Sequence, residues 1–132
     1  MTVDRIKQVI LIRKDLKMRR GKEIAQGSHA SMAFLVRHLH LEPDKNKPCK
    51  LTLSDVEYAW LLKGSAKVCL RVNSEQELLD YYQRCVDEGL QAHLIQDSGR
   101  TEFHGKPTYT ACAIGPHYSS KIDRITGNLV PY

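Results

Sequence analysis

The chain has no CxxC pair, no Walker-type glycine loop and no Ser-His-Asp pattern, and His93, His104 and His117 have no metal-ligand spacing. These absences remove redox dithiols and zinc knuckles, P-loop nucleotide chemistry and triad hydrolysis from the readings that the sequence invites. The four cysteines, Cys49, Cys69, Cys85 and Cys112, are widely separated and read as reduced thiols of a cytoplasmic protein. No apolar run approaches the ~20 residues that span a bilayer. The opening MTVDRIKQ has no signal-peptide core, so no membrane partner is expected. Internal repeats and low-complexity segments are absent as well. Acidic residues are in deficit: 15 Asp and Glu face 20 Lys and Arg, for a formal charge of +5 and a pI near 9.1. That excess suits a polyanionic partner without identifying one.

What is present fits one soluble domain over residues 1–132. The chain is 42% hydrophobic and 27% charged, and a chain of this length can bury a self-sufficient core. Ile6 to Arg13 reads as a strand whose continuous apolar centre, Val9 to Ile12, implies burial on both faces. A basic turn with Lys17, Arg19 and Arg20 leads into a helix from about Gly21 to Leu39. Within it Ala25, Ser28, Met32, Leu35, Val36 and Leu39 form an apolar stripe, the expected core face. Residues 40–53 make a polar connection rich in proline and lysine. Ser54 with Glu57 predicts a capping box and a second helix ending before Gly64. Lys67 to Val72 alternates as a strand. Ser74 with Glu77 predicts another capping box, opening a helix that stops at Gly89. Strands over Ala92 to Gln96 and Thr108 to Ile114 follow, then a short helix from Ser119 to Ile125. The order β-α-α-β-α-β-β-α predicts a three-layer α/β/α fold around a small four-stranded mixed sheet, its last two strands antiparallel.

Ligands of open α/β sheets gather beyond the C-terminal strand ends. That rule brings the turn after the first strand, with Lys17, toward the loop after the third, with Asp97 and Arg100. A basic turn at a helix start is a ready anion site. At ~100° per residue, Lys22, Gln26, His29 and Ala33 fall within roughly 60° on one flank of the helix. Each candidate has a plain alternative. Lys17 could stabilise an oxyanion or grip a phosphate, or be a solvated loop lysine. Asp97 could be a general base or a turn cap. His29 could be a base or a polar group orienting Asp97, or a structural histidine, and Gln26 likewise could serve the site or be a satisfied polar group of the helix. Arg100 could hold a phosphate or pair with a local carboxylate. Thr110 could serve the site or only the strand.

At these residues the chain resembles the type II peptidyl-tRNA hydrolase family. KQVILIRKDLKMRRGKEIAQGSHA is similar to its opening strand, lysine turn and AQxxHA helix. Trp60, Gly64 and Lys67 match a further spaced block, LIQDSGRTEF matches its aspartate loop, and TACAIGP and KIDRITGNLVPY match its closing strand and C-terminal signature. The resemblance covers all but the 40–53 connection. It implies a small α/β enzyme, usually a homodimer and without a cofactor or metal, that hydrolyses the ester between a peptide and the 3′ end of tRNA. Its functional lysine, helix amide, helix histidine, aspartate and closing-strand threonine correspond to Lys17, Gln26, His29, Asp97 and Thr110. Two departures stand out. The turn, usually richer in glycine, holds Arg19 and Arg20, which should strengthen phosphate contact. Glu102 stands where the family often has glutamine, a carboxylate beside an expected polyanion.

The mechanism expected on that basis has Asp97 take a proton from water, oriented by His29 or Gln26. Lys17, helped by the Thr110 hydroxyl, would stabilise the oxyanion. Arg19, Arg20, Lys22 and Arg100 would hold tRNA phosphates. Two other classes remain open: a non-catalytic tRNA- or RNA-binding module of the same fold, and a protein-interaction adaptor using Phe34 and Trp60.

Overall fold

The computed structural model describes residues 4–41, 43–100 and 102–132. Its elements follow the expected order: β1 (Ile6–Arg13), α1 (Arg20–Leu41), α2 (Asp55–Leu62), β2 (Lys67–Val72), α3 (Glu75–Asp87), β3 (Ala92–Asp97), β4 (Thr108–Tyr118) and α4 (Ser119–Thr126), with a 3₁₀ turn at Phe103–Gly105 before β4. The sheet order is β2-β1-β4-β3. β1 and β2 run parallel, and β4 is antiparallel to both β1 and β3. β1 and β3, each antiparallel to the strand between them, therefore point the same way. Their C-terminal ends and the beginning of β4 share one edge of the sheet.

Strand alternation divides the core into two layers. Val9, Leu11, Val72, Leu78, Cys112, Ile114, Ile122 and Ile125 pack on the face covered by α3 and α4. Ile10, Ile12, Met18, Ala30, Ala111 and Ala113 pack on the face covered by α1. The three alanines let α1 lie close to β4. α2 is held to α1 by an edge-to-face pair, Phe34 and Trp60, with ring centroids 5.8 Å apart.

The long helix is turned differently from the expectation. Its buried residues are Gln26, Ala30 and Phe34, while Met32, Val36 and Leu39 of the apolar stripe are exposed. Ala25 and Ser28 are exposed too, and Leu35 is half-buried. Small Ala30 allows the close approach, and the Gln26 amide finds polar partners inside, so the helix sits on its weaker hydrophobic face.

Two smaller corrections concern local rules. β4 does not stop at Ile114 but continues through Gly115 and Pro116 to Tyr118. The pair forms a bulge opposite Gln8, since Lys7 pairs with His117 and Val9 with Ile114, and a bulge tolerates residues that a regular ladder excludes. Ser54 and Glu57 form the complete capping box. At α3 only half of one forms: the Ser74 hydroxyl accepts from the Glu77 N–H, but the Glu77 carboxylate accepts from Asn73 rather than Ser74.

Candidate active site

The site assembles on the shared edge of the sheet. At the end of β1, Arg13 is nearly buried and donates to both Asp15 carboxylate oxygens, at 3.1 and 2.7 Å, and to the Tyr109 carbonyl at 3.0 Å. One guanidinium thus ties the basic turn to the beginning of β4, which suits its rigid, planar donor fork. Neither Arg13 nor Asp15 was among the expected site residues. The signal was a lone charge closing an apolar strand with an acid two positions on. The turn itself carries Lys17 in the left-handed region, φ +52°, a conformation that non-glycine residues seldom adopt.

Across the edge, Asp97 ends β3. Its Oδ1 accepts from the Lys22 ammonium at 2.7 Å and from the Gln26 amide at 3.3 Å. Its Oδ2 accepts from the Gly99 N–H at 2.9 Å. Gly99 has φ +86°, and a Cβ there would lie 2.3 Å from the Lys106 carbonyl oxygen, so only glycine suits this turn. The Gln26 oxygen in turn accepts from the Thr110 hydroxyl at 2.5 Å. Thr110 is fully buried and Gln26 nearly so. A bulge directs Thr110 there: Ile95 pairs with Ala111 and Gln96 with Tyr109, which leaves Thr110 as the extra residue of β4.

The result is a continuous chain of contacts, Thr110 to Gln26 to Asp97 to Lys22, drawn from β4, α1 and β3. Thr110 and Asp97 fix the amide's orientation, because the hydroxyl donates to its oxygen and the carboxylate needs its N–H. The Lys22 ammonium donating to Asp97 holds its carboxyl below the ordinary carboxylate value. The Gly99 N–H and the Gln26 amide act in the same direction, and burial opposes them. Asp97 is therefore an ionised acceptor at neutral pH.

The expected residues divide accordingly. Gln26, Asp97 and Thr110 come together. Lys22, expected on tRNA phosphates, is instead the cation on Asp97, with side chains only 15% and 11% exposed. Lys17 is exposed, and its side chain has no hydrogen-bond or ion-pair partner among the described residues. His29 is exposed, and of the two helix residues expected to orient Asp97 it is Gln26 that donates to it. Arg20 and Arg100 are exposed. Arg19 is 83% exposed and pairs with Glu102 at 3.0 Å. Thr101, inside the aspartate loop, lies outside the described residues. Two open cavities meet at Glu102: one of about 370 Å³ beside Arg19, Gly21 and Lys22, and one of about 230 Å³ along Gly99, Arg100 and the 3₁₀ turn.

The profile of the family described as Peptidyl-tRNA hydrolase PTH2 matches residues 6–132. The chain belongs to that family. It is 40% identical over 124 residues to the peptidyl-tRNA hydrolase of Methanocaldococcus jannaschii, covering 94% of this chain and 97% of that one. It is 42% identical over 132 residues to the peptidyl-tRNA hydrolase of Aeropyrum pernix, covering 98% of each. It is 40% identical over 124 residues to the protein of the same name from Methanothermobacter thermautotrophicus. The matched residues take in the whole network and also the polar 40–53 connection, which lay outside the sequence blocks of the resemblance. Among the described residues no helix is long and apolar enough to cross a membrane.

Proposed function

We propose that the protein hydrolyses the ester joining a peptidyl group to the 3′ end of tRNA, releasing peptide and free tRNA. The observation that carries this reading is the Thr110–Gln26–Asp97–Lys22 network, buried at Thr110 and Gln26 and part-exposed at Asp97 and Lys22, beside a basic helix start, in a chain whose relatives are named peptidyl-tRNA hydrolase. Water attacks the ester carbonyl carbon, and Asp97 takes its proton. The tetrahedral oxyanion is balanced by an ammonium, Lys22 turning from Asp97 or the unpaired Lys17 reaching in from the turn. The C–O bond to the ribose then breaks, and the proton on Asp97 passes to the departing 3′ oxygen. Gln26 aims the carboxylate. The Thr110 hydroxyl is committed to Gln26 and buried, so its part is to fix that amide rather than to touch the oxyanion. His29, on the exposed side of α1, takes no part in orienting Asp97. Arg19, Arg20 and Arg100 hold phosphates, giving affinity that falls with salt and carries little sequence preference. No cofactor or metal enters this scheme. A single domain acting as a homodimer in the cytoplasm completes the reading.

The test is release of the acyl group from an N-blocked aminoacyl-tRNA. Turnover by the wild type, lost in Asp97→Ala with tRNA binding retained, is expected. Lys17→Ala and Lys22→Ala measured side by side identify the ammonium that serves the oxyanion. Tight tRNA binding by the wild type without turnover would favour the non-catalytic binding module instead.

A further inference from the structure

Tyr132 lies far along the chain from every residue of the network, yet it closes over the helix that carries half of it. Its main-chain N–H donates to the Cys69 carbonyl at 3.0 Å, and Arg71 donates to the Val130 carbonyl at 3.0 Å. With the Leu70–Pro131 bridge, these contacts lay the segment along the outer edge of β2. The Tyr132 ring packs against the core layer beneath α1. It forms one wall of an apolar cleft of about 380 Å³ that also touches Ile12, Ile24 and Gly27. Lys14, in the basic turn, places its ammonium 5.5 Å from the ring centroid. The phenol hydroxyl donates to the Glu23 carboxylate.

Glu23 is the neighbour of Lys22 in the first turn of α1. Lys22 leans toward β3 and Asp97, while Glu23 leans the other way, toward β2 and Tyr132. The first turn is thus held from both flanks, by Asp97 on one and by the phenol on the other. A phenol–carboxylate bond is charge-assisted and stronger than a neutral one. Burial and the Glu23 carboxylate push the phenol up to about 12, so it remains a donor throughout the range in which an ester hydrolase operates.

We propose that Tyr132 is a positioning residue for the reaction, acting through Glu23 to fix the register of the first turn of α1 and with it Lys22 and Gln26 against Asp97. This rests on the hydrolase reading above. It predicts a loss in the chemical step rather than in tRNA affinity, because the exposed Arg19 and Arg100 lie outside α1. Small misplacements of catalytic groups are costly: about 1 Å can cost ~10²-fold in rate.

The experiment compares the wild type, Tyr132→Phe, Glu23→Ala and the double variant in steady-state ester release. Amide hydrogen exchange of residues 20–26 and the Gln26 side-chain amide resonances are followed in the same proteins. Tyr132→Phe keeps the ring and removes only the hydroxyl. It should lower kcat roughly tenfold with KM changed less than about twofold. Glu23→Ala should give the same loss, and the double variant should lose no more than either single one. Exchange in residues 20–26 should quicken about tenfold with the sheet unchanged, and the Gln26 amide resonances should shift. An unchanged kcat in Tyr132→Phe, additive losses in the double variant, or a change confined to KM would overturn the proposal. If the wild type released no ester, the hydrolase reading would fall. The exchange and the Gln26 resonances would then decide by themselves whether the phenol holds the helix start.

Discussion

Thr110→Val isolates the deepest link of the network. The two side chains have nearly the same shape, so the substitution removes one hydroxyl and leaves little cavity. In the protein that hydroxyl donates to the Gln26 oxygen at 2.5 Å, between a fully buried residue and one 3% exposed. Water cannot replace it, so the Gln26 oxygen becomes a buried acceptor without a donor. That costs about 1–3 kcal/mol. If the amide stays in place, the cost appears as stability, and at very roughly 4 °C per kcal/mol the melting temperature falls by about 4–12 °C. If the amide instead rotates to seek a partner, it releases Asp97, and the cost appears in the barrier. The same 1–3 kcal/mol then corresponds to roughly a 5- to 150-fold loss in kcat, at ~1.4 kcal/mol per tenfold. KM for the tRNA ester should change little, because the exposed arginines are untouched. Thr110→Ser keeps a donor and should fall between the wild type and Thr110→Val in both readouts. The assays are ester release from N-blocked aminoacyl-tRNA and thermal unfolding. A Thr110→Val protein with wild-type kcat and wild-type melting temperature would show that the Thr110–Gln26 contact does not orient the carboxylate, and the positioning argument would be refuted.

Other consequences follow from the same geometry. Because the folded pKa of Asp97 lies below the ordinary 3.8, its pairing stabilises the protein fully above that value and the contribution drains away as the pH falls below it; Lys22→Met should flatten this acid limb in pH-dependent denaturation and move the acid shoulder of kcat/KM upward. Glu102→Gln releases Arg19 from its carboxylate, so tRNA binding measured by filter retention should tighten a few-fold at low salt, with the slope of log K against log salt steeper by up to about one; unchanged binding and slope would remove Arg19 from the phosphate contacts. Gly99→Ala sets a Cβ 2.3 Å from the Lys106 carbonyl oxygen at φ +86° and should cost at least about 1–3 kcal/mol together with most of the turnover, whereas Gly21→Ala, which meets nothing within 4 Å, should be nearly neutral in unfolding experiments.

Much of the fold was legible because its signals are local. The apolar centre of β1, the alternation in β2 and the Ser54–Glu57 cap each depend on residues within one element, and they appear where periodicity and capping chemistry place them. The antiparallel pairing of β3 with β4 followed from a connection without a long helix. Their shared edge made it possible to expect the turn after β1 and the loop after β3 on one side of the sheet before any contact was known.

Which side chains meet at that edge was decided elsewhere. Hydrophobic periodicity pointed the Met32–Val36–Leu39 stripe inward, yet α1 buries Gln26, Ala30 and Phe34. Three alanines at the contact and the polar partners of Gln26 outweigh a stripe of larger apolar residues, and neither effect is visible within the helix's own sequence. The same rotation gives Asp97 to Lys22 and leaves His29 outside. The bulge that turns Thr110 toward Gln26 exists only once β3 and β4 are paired. Residue types and spacing therefore determined the elements, their order and the set of chemically able groups. The tertiary packing alone chose among those groups, because a helix's rotation on a sheet depends on the fit of both surfaces at once.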